Sequence, residues 1–279
     1  MQDRVSYAGQ MSRLTSRSQW ILLILAAANG GFLYLVPGRA EQGYAWAIKP
    51  SINAAFMGAG YLAGLLAAVL GIYCARRWRS VRALVWPFLG LGVVMSLATV
   101  MHQDRFRWSY ALTWVWTIVY LGIPPVAYYL WCREERTPRE PVDEDLSLNS
   151  MRMLACVLGS LLVTLACMLF FAPKLAAAIW PWPITPLIAR VFAGWHVLMG
   201  GILLWVAFGA RRFHELPIPF LTVSSWSLLL CALPVFHYAS LTRAGSTALW
   251  LVLQLTLFLF SGSVALRALR AMRCNGQAL

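Results

Sequence analysis

Acidic residues are scarce in this chain. Of its 279 residues only 10 are Asp or Glu, against 23 Lys and Arg, and all charged residues together make up 12%. None of the carboxylates falls in the middle of a long apolar run. Transporters coupled to protons or sodium ions usually carry a carboxylate near the bilayer midplane, so the shortage argues against that class. Cysteine spacing is equally uninformative. The six cysteines include no C-x-x-C pair, so neither a disulfide framework nor a zinc site is expected. No Ser-His-Asp or Cys-His grouping and no phosphate-binding glycine loop stands out, which leaves catalysis without positive evidence.

What is present is apolar. Hydrophobic residues make up 60% of the chain, whereas soluble domains carry roughly one quarter charged residues. The net charge of +13 would suggest nucleic acid in a soluble protein. Here the arginines sit between long apolar runs, where they act as topology signals, and no nucleic acid partner is expected.

Eight stretches are long enough to cross a hydrocarbon core, which needs about 20 apolar residues. They cover 20–36, 52–74, 83–101, 109–131, 153–172, 187–209, 218–236 and 247–266. Continuous apolarity marks them as helices, not as alternating barrel strands. The basic residues divide unevenly between the two sides. Arg4, Arg13 and Arg17, Arg76, Arg77, Arg79 and Arg82, Arg133, Arg136, Arg139 and Arg152, Arg211 and Arg212, and Arg267, Arg270 and Arg273 fall on one side. The other side holds Arg39, Lys49, Arg105, Arg107, Lys174, Arg190 and Arg243. The positive-inside rule then places both termini in the cytoplasm, in a bacterial-type inner membrane.

The chain also repeats itself at a constant offset. Adding 136 to Pro37, Trp46, Ile48, Pro50, Gly58, Arg107 and Trp114 gives Pro173, Trp182, Ile184, Pro186, Gly194, Arg243 and Trp250. Such self-similarity signals a duplication. Four helices per half return the chain to its starting side, so the halves share an orientation and are related by an axis along the membrane normal. The expected fold is an all-α integral membrane protein of two tandem four-helix units side by side, 1–132 and 152–279. The linker 133–151 is acidic, proline-bearing and expected to be exposed. The repeat also explains why the first apolar run, preceded by arginines like a signal peptide, is read as a retained helix.

Each half contains W-x-I-x-P, at Trp46–Pro50 and Trp182–Pro186. Tryptophan favours the headgroup level and proline the first turn of a helix, so the motif marks the outer start of helices 2 and 6. Thr185 is placed as an N-cap. Gly58, Gly60 and Gly64, with Gly194, Gly200 and Gly201, are read as packing residues that bring helices 2 and 6 to the centre. Pro87 and Pro234 are expected to interrupt helices 3 and 7, and Pro124-Pro125 to kink helix 4.

Two functional readings follow. In the first, the outer ends of helices 2 and 6 bind or pass an amphipathic small molecule or lipid, lined by Trp46, Lys49, Trp182 and Arg190. A basic side chain beside helix N-termini suits a phosphate or carboxylate. In the second, His102, His196 or His237 ligates haem or handles quinone in a membrane subunit that anchors a redox partner. No cofactor is otherwise evident, and a purely structural subunit of an assembly is a third class. The stretch Trp114–Tyr120, W-V-W-T-I-V-Y, resembles the W-T-x-x-Y turn of the tryptophan-rich sensory proteins over seven residues, but that family has five helices and no such duplication. The two-bundle layout is similar to the eight-helix membrane anchors of molybdopterin-type reductases, a likeness of plan without a shared motif.

Overall fold

Every long apolar run forms a helix in the computed structural model, which describes residues 11–75, 78–136 and 149–274. The helices are α1 (Arg13–Leu35), α2 (Ser51–Tyr73), α3 (Val85–Met101), α4 (Ala111–Glu134), α5 (Asn149–Phe171), α6 (Pro186–Gly209), α7 (Pro217–Phe236) and α8 (Ala244–Cys274). All eight are long and apolar enough to cross a membrane, and no strand occurs among the described residues. The chain is a multi-pass, all-helical membrane protein. Arg4, Arg76, Arg77 and Arg139, counted in the charge asymmetry, lie outside the described residues, as does linker segment 137–148.

Helix ends depart from expectation where polar side chains take over from hydrophobicity. Helix α1 begins at Arg13, well before the apolar run, because Ser12 caps it by accepting the Thr15 N–H at 3.3 Å. Glu134, at the end of α4, in turn accepts the Ser12 N–H at 3.1 Å and the Thr15 hydroxyl. Glu134 is therefore buried rather than part of a solvated linker. Thr185 caps α6 through the Ile188 N–H, with Pro186 in the first turn, as the motif implied. Pro87 and Pro234 do not interrupt their helices. They sit in the first turn of α3 and the last turn of α7; in the first turn proline displaces no intrahelical hydrogen bond. Helix α4 continues past Pro124 and Pro125.

Consecutive helices pair as antiparallel hairpins, α1 with α2, α3 with α4, α5 with α6 and α7 with α8. The hairpins then interlock across the midpoint of the chain: α3 packs on α6, and α7 on α2. Helices α2 and α6 meet at the centre, where Phe56 and Phe192 stack with ring centroids 3.8 Å apart. Lipid tails are as apolar as these side chains, so close packing and internal hydrogen bonds must supply the cohesion. Gly58 shows the closeness reached: a Cβ there would lie 2.6 Å from the Tyr34 backbone nitrogen of α1. Gly64, by contrast, faces open space and is no packing residue.

One end of the bundle gathers charge. Arg82, from the α2–α3 loop, donates to the Gly209 carbonyl at 3.1 Å and to the fully buried Glu215 of the α6–α7 loop at 3.4 Å. Its guanidinium lies over the Trp205 ring, and Arg79 pairs with Glu215 at 3.7 Å. Trp78 donates its indole N–H to Glu135 at 3.0 Å. This is the basic end, where the α2–α3 and α6–α7 loops lie together; the opposite end is called distal below.

Candidate functional site

At the distal end the chain does not pass directly from one helix to the next. Between α1 and α2, residues 37–43 form two short helical turns and 44–50 an extended strap. Between α5 and α6 a seven-residue helix, Pro173–Ile179, precedes the strap 180–185. Tryptophans enter each strap because large rings fill the gap above the tightly packed helices. Trp46 contacts Phe106 and Trp116, with centroids 5.0 and 4.8 Å away. Trp182 contacts Trp250 edge-on at 5.2 Å. Both indoles are buried, so they anchor the straps and do not line an open site.

The straps are tied down by arginines. Arg107 donates to the carbonyls of Gln42 and Glu41 at 2.6 and 2.7 Å, and its backbone N–H to that of Ala45 at 2.8 Å. Arg243 donates to the Trp180 carbonyl at 3.0 Å, while the neighbouring Thr242 N–H reaches Pro181 at 3.0 Å. Arg105 pairs with Asp104 at 3.0 Å, whereas Arg107 is a backbone clamp. Asn53, fully buried in the first turn of α2, joins the two straps. Its amide donates to the Lys49 carbonyl at 2.7 Å and the Pro183 carbonyl at 3.2 Å, and its oxygen accepts the Trp182 N–H at 2.8 Å. Lys49 is one turn away in the chain, but Trp182 and Pro183 come from a segment about 130 residues on, which is why local sequence does not reveal this role of Asn53.

Between the first strap and the loop after α7 lies a cleft of about 610 Å³. Its walls include Pro37, Ile48, Pro50 and Pro183; its polar groups are Glu41, Lys49, Ser51, Ser240 and Thr242. Lys49 and Glu41 form an ion pair at its rim. Of the four ligand-lining residues expected from sequence, Trp46, Lys49, Trp182 and Arg190, only Lys49 lines this cleft.

Arg190 sits elsewhere. Its Nη1 donates to Nε2 of His102 at 2.6 Å, and its guanidinium lies over the Phe170 ring at 5.8 Å. Burial, with the Arg190 charge beside it, lowers the His102 pKa below the usual histidine value. His237 stands at 3.4 Å from the Ser51 hydroxyl, and burial lowers its pKa too. His196 is fully buried in α6. Its Nδ1–H donates to the Phe192 carbonyl at 2.8 Å, and its Nε2 has no hydrogen-bond partner. Phe56, Trp180 and Trp226 enclose that ring at centroid distances of 5.8, 6.0 and 5.4 Å. The three histidines therefore have separate surroundings. Among the described residues no group of three or more His, Cys, Asp and Glu side chains is arranged to hold a metal ion.

No protein-family model matches this chain, and neither the curated proteins nor the solved structures contain a significant match to it.

Proposed function

We propose that this membrane protein binds an amphipathic small molecule or lipid in the distal cleft beside the start of α2. The cleft itself carries this reading: its volume falls within the range of small-molecule sites, roughly 300–1,000 Å³, and it combines apolar walls with a reachable lysine. Lys49 attracts the polar part of the ligand, and Pro37, Ile48 and Pro50 contact the apolar part. Trp46 and Trp182 serve the site by holding the straps. Arg190 stabilises the neighbouring α3–α6 junction. The chain is read as a duplicated four-helix unit with its basic end in the cytoplasm, since Arg107 and Arg243 clamp corresponding straps and the arginine-rich loops share one end.

A cleft-filling substitution tests the reading. A Cβ at Gly38 meets nothing within 4 Å, so Gly38→Trp is expected to fold and to block the cleft. Native mass spectrometry of wild-type protein should show retained lipid that this variant loses. Identical retention by both chains removes the reading.

His196 supports a second reading, a haem- or quinone-handling subunit beside a redox partner. Its unpartnered Nε2 is a ring nitrogen able to ligate iron or accept a quinol hydroxyl. Purified protein showing a Soret band, or bound quinone, that His196→Ala abolishes would favour it. Intact absorbance in that variant would count against it.

A further inference from the structure

The charges in the distal cleft point to its ligand more narrowly. Glu41 and Lys49 are the charged side chains among its lining residues, and they carry opposite signs. Both are reachable from water, with side chains 44% and 64% exposed. Their backbones, however, are held: Arg107 fixes the Glu41 carbonyl at 2.7 Å and Asn53 the Lys49 carbonyl at 2.7 Å. The result is a pair of side chains on rigid supports whose mutual attraction is weak, because exposed ion pairs contribute little and salt screens them.

Such a pair discriminates by charge. A purely anionic ligand that takes Lys49 leaves Glu41 facing its own negative group. A purely cationic one meets the mirror problem at Lys49. A ligand carrying both charges replaces one ion pair by two and leaves no like charges together. Resting on the reading of the cleft as the ligand site, we propose that it recognises a zwitterion. Lys49 takes the phosphate or carboxylate and Glu41 the ammonium. The hydroxyls of Ser51 and Ser240 offer donors to the anionic oxygens, whereas that of Thr242 already donates to the Pro181 carbonyl. Specificity here comes as much from the repulsion of singly charged competitors as from attraction. The shared chemistry fits a phosphatidylethanolamine headgroup or a free zwitterion such as phosphoethanolamine.

Full-length protein in nanodiscs of equimolar phosphatidylethanolamine and phosphatidylglycerol separates these cases. On transfer to the mass spectrometer, wild type should retain the zwitterionic lipid about five-fold over the anionic one, the scale expected of one exposed charge contact. Glu41→Gln should abolish or invert that preference, and Lys49→Gln should reduce retention of both lipids. A headgroup-free source would show instead as a thermal shift with phosphoethanolamine, exceeding that with glycerol phosphate and lost in Glu41→Gln. Zwitterion recognition is overturned by the absence of both preferences, or by preferences that Glu41→Gln leaves unchanged. Retention that differs between wild type and Gly38→Trp under those results would still support the cleft as a lipid site; lipid retention and phosphoethanolamine shift both unaffected by Gly38→Trp overturn both readings.

Discussion

Arg190 of α6 donates to Nε2 of His102 at the end of α3, at 2.6 Å. The guanidinium is always protonated, so the imidazole that accepts from it must be neutral, with its proton on Nδ1. Burial and the adjacent positive charge both favour that form and lower the pKa. The contact joins hairpins from opposite halves of the chain, so its loss should loosen their junction.

The pH dependence follows in sign. A histidine whose folded pKa lies below its unfolded value, about 6.5, contributes stability that is present above the unfolded value. That contribution is lost as pH falls through the folded value. Melting temperature in detergent should therefore drop between pH 7.5 and 5, and His102→Gln should flatten this part of the profile. An equal acid response in that variant would assign the effect to other groups.

Removing the strap clamps should destabilise unequally. Arg107 satisfies two side-chain-bonded carbonyls and Arg243 one from its own strap. Hydrogen bonds from charged groups are worth about 1.5–3 kcal/mol each. Arg107→Ala should cost more than Arg243→Ala in reversible denaturation, with Arg107→Lys intermediate. The reverse order would show that the second strap depends more heavily on its clamp.

Asn53→Leu preserves size but strands the Trp182 N–H and removes the donor to two carbonyls. Leaving one buried polar group unpaired costs about 1–3 kcal/mol. The variant should unfold at lower temperature, and its Trp182 environment should change in near-ultraviolet circular dichroism. A wild-type spectrum would mean that the straps hold their places without Asn53.

At the basic end, Glu215→Gln removes the nearer of two carboxylates that face Arg82, at 3.4 Å, and leaves that of Glu135 at 4.0 Å. Breaking a buried pair and leaving the other charge uncompensated costs about 3–5 kcal/mol, an upper bound here because Glu135 and the Gly209 carbonyl still face Arg82. A large loss of stability is expected, partly relieved by also replacing Arg82 with leucine. Because the two loops touch here, thiols introduced at residues 79 and 212 should react with an impermeant reagent from the same side of the membrane. Reaction from opposite sides would be incompatible with this packing.

Much of the architecture was legible in the order of residues, because crossing a bilayer demands long continuous apolar runs and those are local. The Thr185–Pro186 start of α6 could be read from capping chemistry alone. Ser12 could not, since its cap is stabilised by Glu134, 122 residues away. Pro87 looked like an interruption only because the loop before it is hydrophobic, which hides where α3 begins. At the site, Lys49 was legible, together with Arg190, as a basic side chain beside a helix N-terminus. Trp46 and Trp182, expected to line a ligand site at the headgroup level, instead lie buried, because whether a tryptophan faces lipid, solvent or protein depends on what lies opposite.

The sequence by itself therefore determined the eight helices, their apolar character and the concentration of arginine between them, for each is set by residues close together in the chain. Tertiary structure decided which hairpins interlock, that Arg190 meets His102, and that Glu41 and Lys49 face one cleft. The first two outcomes exist only once helices from opposite halves pack together; Glu41 and Lys49 are near neighbours in one connection, but the wall that makes a cleft of them, Pro183 with Ala239, Ser240 and Thr242, comes from the other half.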